Sequence, residues 1–541
     1  MMKNLINLRQ RNSTKEIFAL SFLIFISTDI AAEVSISANL FLGRAFSANI
    51  AREMLMTGPT NQDSYDVNGF IVIDGAYQRM WDQNKTQGIG AYPFWSETNK
   101  MTVGSNETNS NIDAYQFGLG PVTTTGSITL NPTIYQDGSD FMFYIRSKQY
   151  GHTVFAKIKS ALSAMVVNPN LTESQAVTPV QYSGGAIYWP TSGGFALPTN
   201  ADPALSMIQA FGGNLAGQSY QGNFRPMEYG LIDGQISSGA HLSDTEMTIG
   251  YQYICSETDN TASLGMRVSA PTGNKPKGVH ILEPITGRGG YWGLGFYLAG
   301  TYCLWHDEAN QSSLKLNFMS DGIHLFNADV IRSYDLIANG HGSKYLLVAD
   351  YKNGIYQSSI QNLINLSTLE SQSSFPFEGD AAVGLTYNRG GFSCDLGYEV
   401  WGRTKENLTI TESFDNQRYA ILGRQVVAVE SNGASSTLCQ PTATISSSID
   451  ALGGADATNA NGVAVDATIA SNRIGNDSVF NTTITGQYSA VTSKLFTKIG
   501  YNWQDCSCSP YINLMGECEW SNISNNALPQ WSIALMVGVS L

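Results

Sequence analysis

The sequence predicts an all-β chain built as a single antiparallel transmembrane β-barrel of roughly 12–16 strands, with long loops and one short helix in a loop. Three observations predict it: long stretches that alternate apolar and polar residues, a final stretch that does so without a charge, and a front end built like an export signal. In 530–541, Trp531, Ile533, Leu535, Val537, Val539 and Leu541 share one face, and Ser532, Ala534, Met536, Gly538 and Ser540 share the other. A strand has period two, so one face is wholly apolar and the other small and mostly polar. A barrel gives the first face lipid and the second the lumen.

At the front, Lys3, Arg9, Arg11 and Lys15 precede the apolar run 17–26. That run is too short for a helix crossing a hydrocarbon core of ~30 Å, which needs ~20 residues. Residues 1–32 therefore read as a cleaved signal peptide, with Ala31-Ala32 at the cleavage site. A segment 33–69 follows, and the barrel is expected over 70–541. Charged residues are 14% and aromatic residues 11% of the chain. That excludes general disorder, since disordered chains have few aromatics. The mean hydropathy of −0.11 excludes a helical membrane bundle and suits strands that give half their side chains to lipid. The net charge of −14 and the lack of a basic stripe exclude a nucleic-acid partner.

The strands follow in order. Weaker alternation marks 70–79, 126–134, 141–148 and 153–159. In 246–255, Met247, Ile249, Tyr251, Tyr253 and Cys255 oppose Glu246, Thr248, Gly250 and Gln252; after a polar turn, Leu264, Met266 and Val268 oppose Ser263, Gly265, Arg267 and Ser269. The pair reads as a hairpin with a short loop. Residues 291–305 form a long strand, and 312–320 return with Leu314, Leu316 and Phe318 against Lys315, Asn317 and Met319. A second hairpin surrounds Asn388-Arg389-Gly390-Gly391, its polar row carrying Asp395, Glu399 and Arg403. Weaker strands lie at 345–351 and 425–430. The last unit is 494–504, with Lys494 and Lys498 on its polar row, then 510–521, with Glu517 and Glu519 on its own, then the closing strand. Barrel strands need about 9–11 residues, longer than the globular average, and several of these exceed that.

Two stretches are not strands. Residues 168–224 are rich in Gly, Pro, Ser and Gln and too long for a plain connection. Within them Asp202 reads as an N-cap, Pro203 as a first turn and Gly212 as a stop, with Leu205, Ile208 and Phe211 as the apolar side. This helix is the expected constriction or plug, the alternative being that 168–224 form an outward loop used for surface contact. Residues 441–476 read as a flexible outer loop.

No catalytic motif stands out. The six histidines are scattered, and neither H-E-x-x-H nor G-x-S-x-G occurs. The chain is not expected to be an enzyme, to carry a cofactor or to bind a metal. Of the seven cysteines, Cys506, Cys508 and Cys518 cluster, but C-x-C is not zinc spacing, and they read as ordinary hairpin residues.

With its export signal, long alternating strands and apolar last strand, the chain resembles Gram-negative outer-membrane β-barrel proteins of the porin class, in pattern rather than by one named family. The resemblance implies a cell outer-membrane location. It also implies outer-membrane lipid and, through the C-terminal strand, the barrel-assembly machinery as partners; a homo-oligomer stays open. In that class the last residue is usually phenylalanine, and here it is Leu541. The expected function is passive diffusion of small solutes past Glu246, Arg267, Lys315, Asp395, Glu399, Arg403, Lys494, Lys498, Glu517 and Glu519. The alternatives are a hydrophobic-compound channel with an internal plug, similar to fatty-acid transporters, and a surface structural or adhesive barrel.

Overall fold

Alternation this long, with one apolar row per strand, closes a sheet on itself. The computed structural model describes residues 40–57, 67–81, 88–104, 110–117, 125–149, 152–174, 206–213, 224–255, 260–352, 355–414, 418–421, 443–447, 474–475, 479–503, 508–521 and 527–540. Twelve strands form the wall. They are β1 (Val67–Met80), β2 (Thr133–Gln149), β3 (His152–Asn168), β4 (Thr245–Cys255), β5 (Asn260–Ala270) and β6 (Gly293–Asp307). The second half is β7 (Ser312–Ser333), β8 (Thr368–Arg389), β9 (Phe392–Arg403), β10 (Ala490–Asn502), β11 (Pro510–Ser521) and β12 (Gln530–Ser540). Each strand pairs antiparallel with its neighbours in chain order, and β12 closes onto β1 from Phe70↔Ser540 to Met80↔Gln530. Closure leaves no edge to hydrogen-bond in lipid, which is what lets strands cross a bilayer.

The apolar rows face outward. Ile249, Leu264, Leu396, Ile499, Ile533, Leu535 and Val537 are exposed, while their polar neighbours Glu246, Arg267, Glu399 and Ser532 are buried within the wall. An exposed apolar belt on a closed cylinder is the surface of an outer-membrane barrel. Trp531 and Val539 are half-buried, and Leu541 lies outside the described residues. Leu535→Arg, at mid-strand, should destabilise the folded barrel by about 2–4 kcal/mol. A shift of the urea midpoint in lipid vesicles measures it, and an unchanged midpoint would place this row away from acyl chains.

The connections are unequal. The short ones, 150–151, 256–259, 308–311, 390–391 and 503–509, all lie at one end, the turn end. The long ones, 81–132, 169–244, 271–292, 334–367 and 404–489, leave the wall at the other end, the loop end, together with the eight-residue connection 522–529. There their described residues build a cap with its own apolar core, in which Phe117 and Phe211 meet with ring centroids 4.7 Å apart and Tyr345 packs on both. Two small four-stranded sheets belong to the cap. The expected strand at 345–351 is a cap strand, Leu347–Lys352, and 126–134 breaks into cap strand Gly126–Leu130 and the start of β2. The expected strand 425–430 lies outside the described residues, as do the signal peptide 1–32 and all of 441–476 except 443–447 and 474–475.

Register shifts break the β6–β7 pairing at Cys303/Trp305 and the β7–β8 pairing around Leu325, and a gap interrupts β1–β2. The β1–β2 register runs through Ile73↔Phe141 and resumes at Ala76↔Gly138. Between them the Asp74 carboxylate accepts the Asp140 backbone N–H at 2.8 Å, in place of a strand partner.

Candidate functional site

The lumen is filled, and by a segment other than the expected one. Residues 40–57 run through it from the cap to the turn end. Their helix α1 (Ile50–Met56) starts at Asn49, whose side chain accepts the Arg52 N–H and so caps a first turn that would otherwise leave donors bare. The Asn49 amide also donates to Glu517 of β11 at 2.9 Å, tying the cap to the wall. Ile50, Ala51, Arg52, Glu53, Leu55 and Met56 are all buried, although the helix is only 7 residues long. A helix buried on every side needs surroundings on every side, and the barrel supplies them.

Charges on the segment find opposite charges on the wall. Arg44 reaches Asp380 of β8 at 2.9 Å, Glu519 of β11 at 3.6 Å, and bonds Glu399 of β9. Arg52 donates to Asp140 of β2 at 2.7 Å and stands 3.6 Å from Glu517 and 3.9 Å from Asp74 of β1. Glu53 points the other way, accepting from Lys159 at 2.8 Å, from Arg267 of β5 at 2.5 Å and from Lys157. A buried ion unpaired loses several kcal/mol of hydration, so three buried charges fit only where this pattern meets them.

Below the ions lies an apolar collar. Phe70, Tyr144, Phe155 and Tyr297 form a ladder with centroid spacings of 5.0, 5.8 and 6.0 Å, and Phe496, Tyr511 and Met54 of α1 join the same cluster. Phe155 and Tyr297 stand on β3 and β6, yet they meet because Gly250 and Gly265 are the residues between them in the register. A Cβ at Gly250 would come within 2.7 Å of the Phe155 ring. The Tyr511 hydroxyl donates to the Met56 carbonyl at 3.1 Å, fixing the foot of α1.

At the loop end the connection 271–292 folds inward, with 281–291 buried throughout. Its Arg288 donates to Glu246 and Glu378 of the wall, each at 2.7 Å, and Phe46 of the lumen segment donates its N–H to the Thr286 carbonyl. Asp244, in connection 169–244, accepts the Arg288 N–H at 2.7 Å and the Gly273 N–H at 3.3 Å. Burial pushes its carboxyl up to about 6, against the pull of Arg288. The folded state then holds the proton more tightly than the unfolded chain, whose value is near 3.8. This group's contribution is complete below that value and is lost as pH rises through 6. Docking of 271–292 should therefore loosen across that window, and Asp244→Asn should flatten the change, read as protease nicking of the loop against pH.

At the turn end a cavity of about 460 Å³ opens under the collar, with Met54 and Thr57 as its ceiling. Its polar wall is a continuous chain. Thr301 donates to Asn317 at 2.9 Å, Asn317 to Thr386 at 2.7 Å and Thr386 to Asp395, which pairs with Lys498 at 3.0 Å.

All ten expected pore residues stand on the inner face. Nine of them (Glu246, Arg267, Asp395, Glu399, Arg403, Lys494, Lys498, Glu517, Glu519) are buried and paired; Lys494, for instance, lies 3.0 Å from Glu399, and Arg403 lies 3.7 Å from Glu378. Lys315 is half-buried at the turn-end cavity. The expected plug helix is placed differently. The described helix α2 is Met207–Phe211, capped by Ser206, and sits in the cap with Phe211 buried and Ile208 exposed. Asp202, Pro203 and Leu205 lie outside the described residues. Sequence reading missed Arg44, Arg52, Glu53, Asp74, Asp140, Lys157, Lys159 and Arg288. The wall members among them carry a signal in hindsight, since Lys157 and Lys159 sit two apart on one strand face. Cys255, Cys303, Cys394, Cys508 and Cys518 are free thiols, and Cys506 lies outside the described residues.

No protein-family description matches the chain, and no curated protein does. Among solved structures it is similar to an outer-membrane channel of Pseudomonas putida F1, at TM-score 0.36 and 9% identity over 90% of this chain and 100% of that one. It is similar to a FadL homologue of Pseudomonas aeruginosa, at TM-score 0.29 and 8% identity over 88% and 90%. It is also similar to the Pseudomonas putida toluene transporter TodX, at TM-score 0.31 and 7% identity over 94% and 97%.

Proposed function

We propose that this outer-membrane barrel is a plugged channel, which passes small amphipathic compounds when residues 40–57 shift out of the way. The observation that carries the reading is the charge matching of Arg44, Arg52 and Glu53 to opposite sides of the wall. A passive spacer needs no such pattern, whereas a stopper that must seat in one place does. The reading departs from an open water-filled porin and takes the side of a channel with an internal plug. Long loops lie outside and short turns face the periplasm in bacterial barrels. On that rule the cap is the outer surface, and the foot of α1 faces the periplasm. The route then meets, in order, the cap, the inward loop, the ion pairs, the aromatic collar and the polar cavity. An aromatic collar above an amide-rich wall suits compounds with both an apolar and a polar side.

The test is single-channel recording on the purified protein and on a form lacking 40–57. Little current from the first and sustained current from the second is the expected pair. A wild-type protein that conducts steadily like an open pore removes the plug reading, and a deleted form that folds yet stays silent removes the channel.

A further inference from the structure

The geometry points to the turn-end cavity as a binding site for a small, uncharged, multiply hydroxylated ring compound of sugar size. The inference rests on the plugged-channel reading for its place on a route, and it concerns what stops there. The volume, about 460 Å³, lies within the range of small-molecule sites. Its charges are mostly spent within the protein, because Lys498 is held by Asp395 and Lys157 by Glu53. An anionic ligand would thus find one open cation, Lys315, which forms no ion pair with any described residue.

What the wall offers in quantity is amide and hydroxyl groups, such as Asn388 and Asn513, which both donate and accept. Outside the Asp395–Lys498 ion pair, one buried acceptor of this wall is left over. The Asn502 Oδ1 is buried on this wall and has no hydrogen-bond partner among the described residues. A buried orphan acceptor is unfavourable unless something supplies a donor. One hydroxyl of such a ligand can donate to Asn502 and another can accept from Lys315, using both leftover groups; a carboxylate can use only the second. The half-buried edge of Tyr144, held between Phe70 and Phe155 in the collar, gives a ring compound an apolar contact.

The test is calorimetric titration of the full chain in detergent with maltose, benzoate and benzyl alcohol as probes. Maltose should bind saturably and more tightly than either aromatic. Asn502→Leu and Lys315→Met should each weaken it about five- to tenfold, the loss of one hydrogen bond. Folding of each variant is checked by heat-modifiable migration. Benzoate binding more tightly than maltose and losing that on Lys315→Met overturns the assignment in favour of an organic acid. Maltose binding untouched by both variants, or no saturable binding of any probe by folded protein, also overturns it. None of these results depends on current flow, so a barrel that never conducts fails the channel reading and can still pass this test.

Discussion

Removing residues 40–57 should convert a nearly silent protein into one that conducts, with a rise on the order of tenfold or more. The segment occupies the axis of a barrel larger than the eight-stranded kind whose own side chains fill it. Its loss also changes the field. On the wall around the segment, Asp74, Asp140, Glu246, Asp321, Glu378, Asp380, Glu399, Glu517 and Glu519 face Lys157, Lys159, Arg267, Arg403 and Lys494, while nearer the turn end Asp395 stands with Lys498, Lys315 and Arg146. Carboxylates are in excess, and Arg44 and Arg52 are what offset them on one side. The open form should therefore prefer cations, seen as a reversal potential shifted towards the cation value in a salt gradient. The inward loop 271–292 also loses its seat, since Leu42 packs with Ile285 and Phe46 bonds Thr286. A deleted form with anion preference would contradict the charge assignment even if current flowed.

How much of this was legible beforehand depends on which period a residue obeys. The wall was legible because period-two alternation is a local property, and the row Glu399, Arg403, Lys494, Lys498, Glu517, Glu519 follows from it directly. Closure was legible from strand length and the uncharged last strand, which pairs with β1. The occupant was not. Both candidate segments carry a short helix with an Asx or Ser cap, and capping says where a helix starts, not what surrounds it. What separates them is charge. Arg52-Glu53 stands inside an otherwise apolar I-A-R-E-M-L-M helix, a pattern that makes sense only against a charged wall. The helix at 207–211 has no charge and packs into an aromatic cap core instead. The collar is hidden from the sequence for a different reason. Phe155 and Tyr297 are far apart in sequence, and their contact depends on the register of the two glycine-bearing strands between them.

Glu53→Gln should be the most damaging single substitution in the lumen, with a loss of roughly 3–5 kcal/mol, the range for removing one partner of a buried ion pair. The amide keeps the shape of the carboxylate, so packing is preserved and only charge is lost. What remains is a group of three cations, Lys157, Lys159 and Arg267, deprived of their shared anion. Arg267 keeps Asp321 and Glu246, and Lys159 keeps Glu246 at 3.9 Å, but among the described residues Lys157 keeps only the Tyr297 ring at 3.8 Å. The segment should then leave its seat often enough to give current bursts, and the urea midpoint should fall. Lys157→Met added to Glu53→Gln should recover part of the loss, because it removes the cation left worst off; a coupling of more than about 1 kcal/mol is expected for groups in one network. The exposed pair Arg225–Glu228, at 3.1 Å, provides the contrast. Glu228→Gln should change stability by less than about 1 kcal/mol, since water screens it. If Glu53→Gln behaves like Glu228→Gln, as stable and as silent as the parent, the ion pairs do not seat the segment. The collar around Met54 would then be what holds it.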